Sequence, residues 1–213
     1  MSQKRRMMGQ MNIEQFTSIS KVEIEAIKKA LPHMALHDKI ELLDDLDVRE
    51  RRVSLKAAKT NMLGFATSVY PGFKIGPHHR KLAKIFTDVV EGRKKRVIIN
   101  IAPRMGKSEF SSYLFPAYFL GKYPNKKVMM VSHTTDLAVD FGRKVRNLIS
   151  TDAYKGIFPT VALAIDSKSA GRWNTNSGGE YYACGVGSAL AGRGADLLLV
   201  DDPHSEQDVI NGN

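Results

Sequence analysis

The sequence predicts an α/β fold built round a mostly parallel central sheet, and three observations carry that reading. An apolar run, Val97-Ile98-Ile99-Asn100-Ile101, leads into Ala102-Pro103-Arg104-Met105-Gly106-Lys107-Ser108-Glu109 and then into a helix-like stretch. Apolar runs and helical periodicities alternate over residues 96–149, the order of parallel strands joined by right-handed crossovers. A second apolar run, Leu197-Leu198-Leu199-Val200, ends in Asp201-Asp202-Pro203 and reads as a fully buried strand tipped with carboxylates.

In chain order, residues 1–20 are polar and methionine-rich and are expected to be a flexible N-terminus. Ser20 and Glu23 form the pattern of a capping box for a helix over residues 22–31, ended by Pro32. Residues 40–70 read as one or two helices, and their acidic-then-basic order suits a solvent-facing surface. Pro71-Gly72 marks a boundary, which gives a helical region over 21–70 and a core over 71–213. In that core, residues 73–90 predict a loop and an amphipathic helix, and 96–101 a first strand. A helix follows from Lys107 to about Gly121, kinked or shortened at Pro116. A strand over 127–131 and a helix reaching Ile149 come next, the helix opened by capping residues within 132–135. Residues 172–175 and 180–186 flank Asn176-Ser177-Gly178-Gly179 as a β-hairpin, and the glycine-rich stretch 185–194 reads as a moving loop.

The segment from Ile101 to Glu109 has the layout of a phosphate-binding loop. Backbone N–H groups of such a loop and of the helix it opens make an anion site. Lys107 then reaches the β- and γ-phosphates, and the Ser108 hydroxyl sits on Mg²⁺. Ile101 stands where the pattern G-x-x-x-x-G-K-[ST] has its first glycine, and Pro103 is expected to fix the turn instead. Ligands of open parallel sheets bind at the carboxyl ends of the strands. Asp201 is there a candidate for the magnesium shell, and Asp202 for orienting or deprotonating the attacking water. Arg104 is either a solvated loop cation or the group that stabilises charge on the γ-phosphoryl, in its own subunit or a neighbour. Arg193, in Ala191-Gly192-Arg193-Gly194, is its rival.

Composition narrows the class further. With 213 residues and 43% apolar content, the chain can bury one good core and a helical appendage. It carries 32 basic and 22 acidic residues, and between Pro71 and Lys107 the counts are ten and two. That excess, densest at Arg93-Lys94-Lys95-Arg96, suits phosphates of a nucleotide or a nucleic acid, or a solvated helix end. The single cysteine, Cys184, excludes a disulfide framework and a cysteine-rich zinc module. The histidines are scattered apart from His78-His79, so no metal beyond Mg²⁺ is expected. There is no apolar stretch of about 18 residues and no signal-peptide core, so a soluble, unexported, membrane-free protein is expected.

With these pieces in order, over about residues 42–208, the chain resembles the N-terminal ATPase domain of the large terminase subunit of tailed bacteriophages. The resemblance rests on the segment from Ile101 to Glu109, on Val131-Ser132-His133, on Phe141-Gly142-Arg143-Lys144-Val145-Arg146-Asn147, and on the stretch from Gly192 to Pro203. It implies a P-loop NTPase fold of the additional-strand catalytic-glutamate type, with a sheet that this chain leaves incomplete. It implies that ATP and Mg²⁺ are bound by Lys107 and Ser108 with Pro103, Arg104, Met105, Gly106 and Glu109 around them, and that Asp201 binds the metal. Lys107, Arg104 and Asp202 are the implied catalytic groups. Asp202 stands where many members carry the longer Glu, and Glu206 is a substitute for it. Phe73, His78 and His79 fall where the family contacts adenine.

The activity so implied is ATP hydrolysis driving double-stranded DNA into a procapsid. Implied partners are a portal protein and a small terminase subunit, the working form is a homo-oligomeric ring, and the place is the cytoplasm of an infected bacterium, transiently docked on the procapsid. The sequence stops eleven residues after Asp202 and is expected to lack the strand that couples hydrolysis to movement, as well as the nuclease domain. Two other readings stay open. A helicase-like DNA-dependent ATPase would favour an acidic tetrad with Glu, which Asp201-Asp202-Pro203-His204 lacks. A non-catalytic ATP-binding assembly module would bind ATP without releasing phosphate.

Overall fold

The computed structural model of the chain describes residues 21–167, 169–188 and 192–204. The expected capping residue Ser20 and the alternative base Glu206 lie outside the described residues. Two compact units divide between Lys56 and Ala57. The first holds α1 (Lys21–Ala30), a short 3-10 turn at Leu31–His33, and most of α2 (Leu36–Thr60). Charged residues alternate with apolar ones along α2, and Leu36, Ile40, Leu43 and Val48 are exposed. None of the described helices is long and apolar enough to cross a membrane.

The second unit opens with the last turn of α2, where Ala58 is fully buried. The Asn61 side chain caps α3 (Met62–Val69) by accepting the Gly64 N–H at 2.7 Å. α4 (Pro77–Val90) starts on proline, whose missing N–H costs nothing in a first turn. It buries Leu82, Ala83, Phe86 and Val90 along one side. After the loop come Glu109–Leu114 in a π-helical turn and α5 (Phe115–Lys122), then β1 (Lys127–Ser132), α6 (Thr135–Ile149) and α7 (Asp152–Ile157). Thr134 and Thr151 cap the last two helices through their hydroxyls. The hairpin of β2 (Arg172–Asn174) and β3 (Glu180–Gly185) follows, and then β4 (Leu197–Asp201).

The sheet order is β2-β3-β1-β4. β1 pairs parallel with both β3 and β4, and among the named strands the hairpin pair is antiparallel, so the sheet is mostly parallel. β1 lies between two neighbours, so every residue after Lys127 is buried. One sheet face is covered by α6, whose Gly142 lets the backbone come close. A Cβ there would lie 2.6 Å from the Ala170 carbonyl. The Gly142 carbonyl accepts the Trp173 indole N–H at 3.1 Å, and Trp173 stacks on Tyr181 with centroids 4.9 Å apart. Beneath the helices Phe65, Tyr118, Tyr154 and Phe158 pack ring against ring, and Phe86 stacks on Phe115 at 4.1 Å.

Two expectations need correction. Residues 96–101 form no strand, and no ladder hydrogen bond ties them to another described strand. An apolar run becomes a strand only by pairing, and the free edge of β4 is separated from this segment by a cavity of about 510 Å³ that both line. β4 is not fully buried: Leu198 and Val200 are 57% and 54% exposed, because an edge strand here has one covered face. The irregularity expected at Pro116 in the helix from Lys107 takes the form of a π-helical turn ahead of it. The Phe115 N–H bonds back to the Phe110 carbonyl, five residues earlier, just before Pro116, which has no N–H to give.

Candidate functional site

The site is built where the loop meets the tip of β4. The loop reverses through two left-handed residues, Arg104 at φ 62° and Gly106 at φ 74°. Glycine adopts this conformation freely, whereas an arginine there costs about 1 to 3 kcal/mol, strain that clusters at ligand-binding loops. Helix begins at Lys107, which leaves the N–H groups of its first turn directed at the loop.

Lys107 and the two aspartates, 94 and 95 residues away in sequence, converge. The Lys107 ammonium lies 2.5 Å from Asp202 Oδ1 and 3.2 Å from Asp201 Oδ1. Its partial burial works against the charge, but hydrogen bonds and attraction from Asp202 and Asp201 outweigh it, and the pKa is raised. Asp201 ends β4 and is buried. Its second oxygen, Oδ2, accepts the Ser112 hydroxyl at 3.0 Å, and its carbonyl accepts the Ser132 hydroxyl at 2.9 Å. Asp202 is left-handed at φ 45°, with its carbonyl held by the His133 N–H at 3.1 Å. That turn swings its carboxylate outward, where the side chain is 65% exposed.

Ser112 is not singled out by the sequence, and Ser132 is named there only within the Val131-Ser132-His133 segment and as a capping residue, with no role toward Asp201. Ser112 lies four residues beyond Ser108, a spacing that puts both on one side of a helix, so a signal existed. The Ser108 hydroxyl has no hydrogen bond among the described residues. The chemistry of the expected donors fits Mg²⁺: Asp201 and Ser108 offer hard oxygens, and this cation is commonly held by one or two carboxylates plus substrate phosphates.

The other expected ligand residues separate into two groups. Pro103, Arg104 and Met105 are exposed on the loop. Glu109 turns away from it and pairs with Lys144 of α6 at 2.9 Å. Phe73, His78 and His79 form a wall behind the loop. Phe73 stacks on Phe110 at 5.7 Å and touches His79 at 4.9 Å. His79 Nδ1 accepts the Gly76 N–H at 3.0 Å, so the neutral ring carries its proton on Nε2 and gives it to His78 Nε2 at 3.2 Å. Burial, and then the neighbouring His78, lower the His79 pKa.

Arg193 does not share this end of the sheet. Its guanidinium stacks on Tyr182 at 4.2 Å. Tyr182 pairs with Met129, itself opposite Leu198, three rungs from Asp201, or about 10 Å along the strand. Within its own chain Arg193 is therefore not the rival of Arg104 that its sequence position suggested.

A family profile described as "Terminase large subunit, T4likevirus-type, N-terminal" matches residues 98–210. No curated protein and no solved structure matches the chain. The matched span, more than half of the sequence, starts in the segment before the loop and runs past Asp202. Loop, sheet and paired aspartates thus fall inside one profile, and the chain belongs to the family of terminase large-subunit N-terminal domains.

Proposed function

We propose that this domain is the ATP-hydrolysing motor of a DNA-packaging terminase. The convergence of Lys107 with Asp201 and Asp202 is the observation that carries the reading. A lysine at a helix mouth and two carboxylates at a strand tip can close round one triphosphate. Lys107 binds the β- and γ-phosphates, aided by the loop N–H groups from Pro103 to Glu109, with proline contributing none. Asp201 and Ser108 would hold Mg²⁺, which when bound neutralises charge on the phosphate oxygens. Asp202, its carboxylate in solvent, takes the proton of the attacking water. Arg104, outward on the strained loop, offsets negative charge that grows on the γ-phosphoryl. The aromatic and imidazole wall of Phe73, His78 and His79 receives the adenine.

The additional-strand class is supported by the cavity between residues 97–100 and β4. The outer edge of β4 is unpaired and so, among the described residues, are the backbone groups of residues 97–100, which leaves room for one further strand to pair with each. The family supports double-stranded DNA, a portal protein and a small terminase subunit as partners of a ring working in the cytoplasm of an infected cell. The experiment is direct. Lys107→Ala should abolish binding of a fluorescent ATP analogue and phosphate release, and hydrolysis undiminished in that variant would remove the assignment.

A further inference from the structure

We propose that the outer face of α4, continued by Lys94, Lys95 and Arg96, binds the phosphate backbone of duplex DNA. The inference rests on the packaging reading and names where the polyanion touches this domain. Arg80, Lys81 and Lys84 are exposed on the side of α4 opposite its buried residues, within an arc of about 100°. Beyond the helix the chain folds back, with the Lys94 N–H bonded to the Asp88 carbonyl at 3.1 Å, so the next cations stay at the helix end. The stretch from Pro71 to Lys107 has two acids, Asp88 and Glu91, and both are taken by Arg93, Asp88 at 2.6 Å. Arg80, Lys81, Lys84, Lys94, Lys95 and Arg96 have no carboxylate partner among the described residues. Like charges gathered without counter-charge repel one another, and an anionic ligand relieves that repulsion.

The dimensions suit a duplex. A helix of 14 residues spans about 21 Å, alongside about twelve phosphate charges at one per about 1.7 Å. No large apolar side chain is exposed between Pro77 and Val90, so the face lacks the anchors that a protein partner buries. The same helix touches the nucleotide site from behind. A Cβ on Gly106 would lie 3.4 Å from His79 Nε2, and Phe86 stacks on Phe115 of the helix that leaves the loop. One element therefore carries the cations outside and supports the phosphate loop inside.

The test uses the whole chain without nucleotide and a labelled duplex of about 30 base pairs, by anisotropy between about 50 and 200 mM salt. K81Q/K84Q/K94Q should weaken binding about tenfold or more and lower the slope of log K against log salt by about 2.7, or about 0.9 for each phosphate no longer neutralised. K81R/K84R/K94R should restore both, and K39Q/R51Q/R52Q, in the first unit, should leave both unchanged. The proposal is overturned if the α4 variant binds as the parent does, if both glutamine variants weaken alike, or if the parent prefers polyglutamate of equal charge. Failure of the ATPase reading looks different: no phosphate release from a chain whose duplex binding still depends on α4. Lys107→Ala should keep that duplex affinity.

Discussion

Lys107 touches two carboxylates, and their backbones decide which chemistry each can do. Asp201 is the last residue of a strand, buried and fixed by Ser112, Ser132 and Lys107. A carboxylate held at both oxygens suits a metal shell, whereas Asp202, on an exposed left-handed residue, is bonded to Lys107 through Oδ1 and has Oδ2 left to reach water. Asp202→Asn should therefore keep ATP affinity and lower turnover by about 100-fold or more, read as phosphate release against analogue binding. Normal turnover would move the base elsewhere. On the proposed reading Ser112, bonded to Asp201, is a positioning residue. Outer-shell partners of this kind are worth about 10- to 100-fold in metal affinity. Ser112→Ala should weaken Mn²⁺ binding in the presence of ATP by that much in an electron paramagnetic resonance titration. An unchanged titration would reduce Ser112 to a packing role. His79 gives a pH signature. Its folded pKa lies below the ordinary 6.5, so the unfolded chain binds the proton first as pH falls. Its contribution to stability is thus full above about 6.5 and is lost below it. Melting curves should show the midpoint falling through that window, less steeply in His79→Gln, and equal slopes would contradict it.

At the scale of elements, the π-helical turn and the edge strand matter most. The extra residue in the turn Glu109–Leu114 rotates the following helix, and the turn itself presents Ser112 to Asp201. β4 is anchored at its start by Asp196, which accepts the Lys126 ammonium at 2.7 Å and the Lys127 N–H at 2.8 Å. The Lys126 hydrogen bond, seconded by the Lys127 N–H, holds the Asp196 carboxyl below its ordinary pKa. The far edge of β4 is free, as are the backbone groups of residues 97–101 among the described residues. Hydrogen exchange should reflect this. Amides of Met129 to Val131 should exchange only through global opening, and those of residues 97–101 at nearly unprotected rates. Equal protection in the two segments would mean that the cavity between residues 97–100 and β4 is closed.

For the whole molecule, the net charge of +10 is less informative than its distribution. Elsewhere cations are commonly matched, as in Lys126 with Asp196, Lys144 with Glu109 and Arg172 with Glu180. Along α4 they are not. The second unit gathers its buried aromatic residues on the helical side of the sheet, which fixes α4 and the loop against one core. Chemistry at Lys107 and charge on α4 thus belong to a single packed body, the condition for one to influence the other.

The sequence by itself determined the loop, the acid-tipped strand, the strand over 127–131 with the helix after it, and the hairpin, because each is written in local period or turn chemistry. Lys107, Asp201 and Asp202 were legible for that reason. What the tertiary structure alone decided depends on neighbours distant in the chain. Ser112 became a partner of Asp201, Glu109 left the phosphates for Lys144, and Arg193 settled on Tyr182. Residues 97–101 had a strand's composition and remained unpaired, since a strand is completed by the hydrogen bonds of another segment, and composition cannot supply those.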